Sequence, residues 1–339
     1  MKKSNLTPRE IVKRCIEFRD PPRIGMHFSV NPIEGKTWPF TDFAGVSFQP
    51  DPDFVPIAQD FGEWGYKMET LDPTSMGEVK DPPLGESWKQ LESYKFPDFR
   101  SPVRYAHLRE EVENFHAQGR YVYGNIPSLM LLPINLRGME NWFMDHVLEK
   151  ENLCLLLDRI VETRLAIIAH YADAGVDGAI TYDDMGTNDR TLVSPNMFRE
   201  IYLPRYRRTN DALHERNMHL LHHCCGQVQE YMNMLIEGGC DVIQLDQPLL
   251  MGIDWLGENY GGKICFWNCV DIQKTIPRND LEAIDDEAHR QVWRLGNYGG
   301  GFMVKAYQQP EAIRMTIEQS EAQYRAFRKY GNYPITWEQ

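Results

Sequence analysis

The sequence predicts an α/β barrel, on the basis of two observations. From about residue 100 onward, strand-like apolar runs alternate with helix-like runs, which is typical of βαβ units around a parallel sheet. The segments 174–184 and 238–246 also resemble each other, because each has a helix-stopping glycine, an aspartate, an apolar strand and a terminal carboxylate. Repeated barrel units of this kind bring their terminal carboxylates to one common rim.

Six strands are predicted in this part of the chain from their apolar character and their flanking residues. They are Tyr121–Asn125, Gly178–Tyr182, His219–His223, Val242–Leu245, Lys263–Trp267 and Gly301–Lys305. Apolar residues at helical spacing predict helices over Glu151–Ala174, Ser194–Asn217 and Gln227–Glu237. Gly175 ends the first of these helices, and Ser194 and Pro195 begin the second.

The first hundred residues differ from the rest, because they are rich in proline and aromatic residues. Gly25–Phe28 is predicted as the first barrel strand, and Gly65–Thr70 as part of a hairpin. Nothing in this region marks an independent domain. We therefore expect one domain over residues 1–339, in which residues 1–100 elaborate and cover one end of a barrel formed mainly by residues 101–339.

Charge and cysteine content exclude several classes of function. The formal charge of -13 and the pI near 5.3 argue against nucleic acid or an anionic membrane as the principal partner. The polar start of the chain predicts neither a signal peptide nor a membrane span. Seven cysteines, an odd number, do not fit a secreted disulfide framework. These features predict a cytoplasmic enzyme.

The candidate metal ligands are His223 and Cys225, at the end of a predicted strand and just before Gly226. Residues i and i+2 of a strand share a face, so this imidazole and this thiolate can bind one ion, and zinc suits the donor pair. His222 and Cys224 then face the other way and are expected to pack in the interior. The alternative is that His223 and Cys225 are a buried histidine and a core cysteine without a metal.

Several motifs, in their order along the chain, resemble the uroporphyrinogen decarboxylase superfamily. They are Tyr182–Thr187, Ser194–Arg199, Pro204–Tyr206 and His223–Gly226, with a likeness that extends through Gly77–Asp81, Tyr94–Asp98, Phe266–Trp267 with Asp271, and Gly299–Gly301. The resemblance implies a single (β/α)8 TIM barrel whose active site lies at the carboxyl ends of the strands.

Within that superfamily, the chain is more similar to the corrinoid-dependent methyltransferases than to the decarboxylases. The decarboxylases carry an arginine-rich R-Q-A-G-R motif that holds porphyrin carboxylates, and the corresponding stretch Arg23–Phe28 lacks it. The methyltransferase resemblance implies a zinc ion bound through His223 and Cys225 plus a further ligand. It also implies a corrinoid acceptor, which a separate partner protein must carry because this chain has no room for a corrinoid domain.

The third zinc ligand is left open between two residues. Coenzyme M methyltransferases of this branch supply a cysteine after the last strand, but the stretch Lys305–Gln308 contains none. Asp246 ends a predicted strand and could be a ligand, a helix N-cap or a hydrogen-bond anchor. Cys269 lies at the expected rim and could be a ligand or a core cysteine. Gln308 and Asp184 are the next candidates.

The resulting hypothesis is a zinc-dependent methyltransferase that moves a methyl group from a small methylated substrate, with a methyl ether as the first expectation, to the cobalt of the partner corrinoid protein. Asp184, Asp183 and Tyr182 are candidates to deliver a proton to the departing oxygen, with Asp184 preferred, although each could instead order the top of the barrel. Two alternatives are a metal-free decarboxylase of a tetrapyrrole acid and a non-catalytic barrel with a structural zinc.

Overall fold

The structure is a computed structural model that describes residues 6–31, 36–70 and 77–337, so the predictions that concern residues 1–5 lie outside it. In chain order the strands are β1 (Gly25–Asn31), β2 (Lys36–Thr41), β3 (Phe43–Val46), β4 (Met68–Glu69), β5 (Glu78–Val79), β6 (Tyr121–Asn125), β7 (Gly178–Asp184), β8 (His219–Cys225), β9 (Val242–Leu245), β10 (Cys265–Asn268) and β11 (Phe302–Lys305).

The helices alternate with the later strands. In chain order they are α1 (Pro8–Ile16), α2 (Leu108–Ala117), α3 (Leu131–Arg137), α4 (Met139–Leu148), α5 (Lys150–Ala174), α6 (Pro195–Met197), α7 (Leu203–His214), α8 (Met232–Glu237), α9 (Ile253–Tyr260), α10 (Leu281–Gly296) and α11 (Ile317–Tyr330). Short 3-10 turns connect several of them.

Eight parallel strands form the predicted (β/α)8 barrel, in the order β1-β11-β10-β9-β8-β7-β6-β3. The amide of Asp42, just before β3, donates to the carbonyl of Met26 in β1 at 2.8 Å, which joins the two ends of the series. Strand β2 pairs antiparallel with β1, and β4 pairs with β5 in a separate ribbon.

Alternate residues of the strands fill the barrel interior. Phe43, Tyr123, Leu221, Trp267 and Met303 belong to one buried cluster inside the ring of strands. The indole of Trp267 stacks on the ring of Phe43 with centroids 4.8 Å apart. The opposite faces of the strands pack on the helices in a second, larger cluster. The interior of the barrel is therefore a packed core.

Most predicted strands are confirmed, with corrections at their ends. Strands β7 and β8 each run two residues beyond the prediction, which brings Asp184 and Cys225 into paired positions. Strand β10 begins at Cys265, because the amide of Lys263 instead donates to Tyr260 in a turn. The barrel strand Phe43–Val46 was not predicted at all, since four residues that include a glycine give little periodic signal.

The predicted helix Ser194–Asn217 is interrupted. Between α6 and α7, residues Phe198–Tyr202 form a π-helical turn in which the amide of Leu203 donates to the carbonyl of Phe198. Pro204 has no amide hydrogen and cannot continue the regular ladder, which explains why the hydrogen bonds shift here.

The predicted helix Gln227–Glu237 begins only at Met232. The side chain of Gln227 accepts a hydrogen bond from the amide of Gln229 at 2.7 Å and so forms a local turn in place of the first helical turns. The helix predicted over Glu151–Ala174 is confirmed as α5, which ends at Gly175 in a left-handed conformation. Among the described residues, no helix is long and apolar enough to span a membrane.

Candidate metal centre

Three potential ligands meet at the carboxyl ends of β7 and β8. Ligand atoms of Asp184, His223 and Cys225 all lie within 4.8 Å of one another, and this is the metal-capable group that the described residues contain. The parallel register explains the meeting, because Tyr182 pairs with His223 and Asp184 pairs with Cys225. Alternation along the two strands then directs these side chains to the same face.

A hydrogen bond fixes the orientation of the His223 ring. Its Nδ1 atom contacts the side-chain oxygen of Gln244, which can only accept, so Nδ1 carries the hydrogen. The other ring nitrogen, Nε2, lies 3.4 Å from the Cys225 sulfur and keeps its lone pair toward the cluster. A metal-binding histidine commonly makes this kind of bond through its second nitrogen. Gln244 was not a predicted site residue, although a polar residue in the strand Val-Ile-Gln-Leu is a detectable signal.

Burial shapes the ionisation of the two ligands from β8. Burial lowers the pKa of His223, which keeps the imidazole neutral and able to donate a lone pair. Burial and the neighbouring carboxylate of Asp184 raise the pKa of the Cys225 thiol well above its ordinary value. A divalent cation bound among these groups would stabilise the Cys225 thiolate and offset the cost of ionising a buried thiol. These donor groups therefore fit a bound metal ion.

Asp246 lies beside the cluster but is engaged elsewhere. Its carboxylate accepts from the Lys305 ammonium at 2.9 Å and from the Gln244 amide at 2.8 Å. Burial disfavours the charged Lys305, but the nearby Asp246 outweighs it, so the pKa of this lysine is raised. The structure therefore gives Asp246 the geometry of an anchor, because it supports Gln244, which in turn orients His223.

Cys269 also lies outside the group of three ligands. It is fully buried, and its sulfur is 3.3 Å from an Asp246 oxygen. Burial raises the pKa of this thiol well above its ordinary value. Gln308, the other candidate, is exposed beyond the end of β11. Neither Cys269 nor Gln308 belongs to the group of ligand atoms that Asp184 forms with His223 and Cys225.

The three predicted rim residues of β7 separate according to strand alternation. Asp183 points to the outer face, where it is fully buried and accepts hydrogen bonds from Tyr206 at 2.9 Å and from the Met130 amide at 3.0 Å. His222 contacts the same carboxylate at 3.2 Å. Asp183 thus orders the contact between strands and helices, and the structure does not bring it to the mouth.

Tyr182 remains at the mouth of the barrel, where it is 36% exposed. Its ring lies beside the His223 imidazole, with the two centroids 5.5 Å apart. His222 and Cys224 are buried on the opposite face of β8, as the alternation predicts.

Gly226 allows the cluster to form at the end of β8. Its φ is +87°, and a Cβ atom there would lie 2.0 Å from the carbonyl oxygen of Gly186, in the loop after β7. The amide of Gly226 donates to the Gln247 side chain at 2.8 Å. Only glycine permits this close approach of the two segments that follow the ligand-bearing strands.

Two cavities adjoin the cluster. The larger, of about 890 Å³, is lined by Asp184 together with residues of the β5 region, α3 and α4. The smaller, of about 240 Å³, is lined by Tyr182 and by several aromatic and apolar residues. Leu131 and Asn135 line both cavities, so the two spaces adjoin each other on this side of the ligands.

The sequence profile of the uroporphyrinogen decarboxylase family matches residues 71–267, which is more than half of the chain. The chain belongs to this family. The matched region contains Asp184, His223 and Cys225, so the candidate metal centre lies within the part of the chain that defines membership. No curated protein matches the sequence.

A solved structure shares this fold. A methyltransferase from Methanosarcina mazei matches with a TM-score of 0.72 and 14% sequence identity, over 96% of this chain and 99% of its own. A 3-keto-D-glucoside 4-epimerase from E. coli matches more loosely, with a TM-score of 0.41 and 10% identity over 74% of this chain and 95% of its own. At 14% identity the likeness to the methyltransferase is one of fold.

Proposed function

We propose that this member of the uroporphyrinogen decarboxylase family is a zinc-dependent methyltransferase. It would transfer a methyl group from a small methyl ether to the cobalt of a corrinoid carried by a separate protein. The observation that carries the proposal is the group Asp184, His223 and Cys225, whose ligand atoms lie within 4.8 Å of one another beside a cavity. Three protein ligands with an open side are typical of catalytic zinc, whereas structural zinc is closed by four.

The donor set supports an oxygen leaving group. Zinc held by one thiolate, one imidazole and one carboxylate is a stronger Lewis acid than zinc held by two thiolates, and would polarise an ether oxygen. In this proposal Asp184 takes the place of Asp246 and Cys269 as third ligand, and Tyr182 becomes the group that can supply a proton at the mouth.

The overall reaction balances with a reduced corrinoid as the acceptor. The bond between the methyl carbon and oxygen breaks, and the oxygen keeps its electron pair and gains a proton. The new bond to the methyl carbon uses an electron pair of the reduced cobalt. The chain's own contribution is to hold the ether oxygen, exclude water at the mouth and deliver the proton from Tyr182.

The charge of the large cavity argues against the decarboxylase alternative. Its lining contains the carboxylates of Glu78, Asp81, Glu86, Glu140 and Asp184. The cations in the lining are Lys80 and Arg137, and Arg137 is already paired with Asp145 at 2.8 Å. A tetrapyrrole with several carboxylates would meet net repulsion here.

The amount of zinc bound per chain tests whether the proposed metal site exists. We expect about one zinc per chain in wild-type protein, and heavy loss of zinc from Cys225→Ala and His223→Ala. Cys224→Ala is the matched control, because Cys224 is the adjacent cysteine on the opposite, buried face of β8. Elemental analysis measures the result. Equal zinc in Cys225→Ala and Cys224→Ala, or no zinc in any protein, would contradict the proposal.

Activity is measured with a reduced corrinoid protein and a panel of methyl donors, by following the visible spectrum of the corrinoid. Methyl ethers should methylate the cobalt, whereas methylthiols and methylamines serve as comparison donors. Consumption of uroporphyrinogen with release of carbon dioxide, together with no cobalt methylation by any donor, would favour the decarboxylase alternative.

A further inference from the structure

The smaller cavity beside Tyr182 has a distinct chemical character. Its wall contains the aromatic side chains of Phe48, Trp64, Tyr66 and Tyr182, together with Leu131, and we call it the aromatic pocket. None of the described residues in its lining is Asp, Glu, Lys, Arg or His. A ligand that carries a net charge would find no counter-ion there, so the lining favours a neutral and largely apolar occupant.

The aromatic pocket adjoins the metal ligands. Tyr182 lies in its wall, and the Tyr182 ring is 5.5 Å from the His223 ring, measured between centroids. Tyr182 is also the strand partner of His223 in the register of β7 and β8. The pocket also shares Leu131 and Asn135 with the larger cavity, which Asp184 lines, so a molecule held among the aromatic side chains lies next to the space in front of the metal ligands.

The pocket wall is held in place from behind. Phe99, which is 3% exposed, stacks on Trp64 with centroids 5.7 Å apart and contacts Phe48 edge-on at 4.8 Å. The hydroxyl of Tyr94 donates to the Trp64 carbonyl at 2.7 Å. The N-terminal elaboration thus supplies a packed aromatic wall, and preformed walls lower the entropic cost of binding.

The volume of the aromatic pocket and its polar groups further limit which ligands can bind there. The volume is about 240 Å³. An apolar cavity of about 150 Å³ is enough to bind benzene, so one substituted ring fits and a tetrapyrrole does not. The Asn135 amide donates to the Tyr66 hydroxyl at 3.4 Å, which leaves the hydroxyl hydrogen for a ligand oxygen. Burial raises the pKa of Tyr66, so this hydroxyl stays a neutral donor.

We infer that the aromatic pocket binds the aryl group of an aryl methyl ether and places the ether oxygen at the metal ligands. This inference rests on the proposed function, and it names the substrate class. The Tyr66 hydroxyl would bond a second oxygen on the ring, such as that of a neighbouring phenol.

Direct binding tests the inference without requiring turnover. We expect calorimetry to detect 2-methoxyphenol and methoxybenzene binding to the wild-type protein and also to the Cys225→Ala protein, because the pocket does not need zinc. Leu131→Trp should fill the pocket and weaken both ligands about tenfold or more without loss of zinc. Leu155→Trp, at a side chain that is 57% exposed on α5, is the matched control and should bind normally.

A second variant tests the polar contact. Tyr66→Phe should weaken 2-methoxyphenol about fivefold, as expected for one lost hydrogen bond, and should leave methoxybenzene unchanged. Glycine betaine is the comparison ligand, since an aromatic wall can also bind a quaternary ammonium. Binding of glycine betaine in preference to the aryl ethers, or unchanged aryl binding by Leu131→Trp, would overturn the inference.

Different results would contradict the proposed function and the assignment of the aromatic pocket. Aryl ethers that bind but never methylate a corrinoid would contradict the proposed function while supporting the pocket assignment. Cobalt methylation by other ethers, without aryl binding, would support the proposed function and overturn the pocket assignment.

Discussion

The orientation of His223 depends on Gln244, which is not one of the three candidate metal ligands. Gln244 accepts from Nδ1 of the imidazole, and Asp246 and Lys305 in turn hold Gln244 in place through the Asp246 carboxylate. The chain of contacts selects the ring tautomer with a free Nε2. His223 of β8 is thereby supported by Gln244 of β9 and, through Asp246, by Lys305 of β11.

We predict that Gln244→Ala weakens zinc binding by about 10 to 100-fold, because the imidazole loses the partner that orients it. Competition with a chelator of known affinity measures the change. Gln291→Ala is the control, since Gln291 is an equally buried glutamine that bonds to Asn268 and Glu287, away from the cluster. Wild-type zinc affinity in Gln244→Ala would show that the hydrogen bond does not position the ring.

The assignment of Asp246 as an anchor gives a second prediction. Asp246→Asn should weaken zinc binding by about 10 to 100-fold through its effect on Gln244, and Cys269→Ala should retain nearly wild-type affinity. Asparagine preserves the shape of the side chain, so the variant is expected to fold. Loss of most zinc from Cys269→Ala, with full retention in Asp246→Asn, would instead identify Cys269 as a ligand.

At the scale of elements, the site depends on how β7 and β8 end. The two strands are in register for seven residues, and the segments that follow them cross at Gly186 and Gly226. This close approach keeps Asp184 in its paired position beside Cys225 at the strand ends.

We predict that Gly226→Ala destabilises the protein more than Gly175→Ala does. Both glycines have positive φ, near +87° and +86°, so both substitutions carry a backbone cost of roughly 1–2 kcal/mol. At Gly175 the nearest atom to a new Cβ is 3.8 Å away, but at Gly226 the Gly186 oxygen is only 2.0 Å away. Denaturant unfolding and zinc content measure the two effects. Equal stability of the two variants, with zinc retained in both, would contradict this account.

Much of this element-level arrangement could be predicted from the sequence, because His223, Cys225 and Asp184 lie at the ends of strands with clear apolar runs. The helix-stopping Gly175 and the capping Ser194 are similarly local signals. The sequence alone could not favour Asp184 over Asp246 and Cys269 as the proposed third ligand, because that preference rests on strand register and on the ion pair of Asp246 with Lys305. These are contacts between distant segments, which local periodicity does not encode.

At the scale of the whole molecule, Asp177 joins the amino-terminal helix to the barrel. Its buried carboxylate accepts from Arg9 at 2.6 Å and from Lys13 at 2.9 Å, both in α1. It also contacts His116 of α2 at 2.9 Å and accepts from the Val122 amide of β6 at 3.0 Å. Burial opposes ionisation, but the Arg9 guanidinium and the other donors outweigh it, so the pKa of Asp177 is lowered.

We predict that Asp177→Asn lowers the free energy of unfolding by about 2 kcal/mol at neutral pH, less than for a fully buried pair because solvent reaches the cations. A lowered folded-state pKa gives a contribution that is present above the unfolded-state pKa of about 3.9 and is lost as pH falls through the folded-state value. The difference from wild type should therefore shrink only in acid.

Unfolding in urea between neutral and acidic pH measures this dependence. Asp189→Asn is the control, because Asp189 pairs with Arg190 at the exposed surface and should change little. A difference between wild type and Asp177→Asn that stays constant through the acid range would contradict the role of the ionised carboxylate.

The central claim is that Asp184, His223 and Cys225 bind one zinc ion, and X-ray absorption at the zinc edge tests it most directly. The account predicts one sulfur ligand at about 2.3 Å, with nitrogen and oxygen ligands at about 2.0–2.2 Å. Asp184→Asn should change the light-atom shell and leave the sulfur contribution unchanged. Zinc with two sulfur ligands, or protein that binds no zinc when the metal is supplied, would contradict the claim.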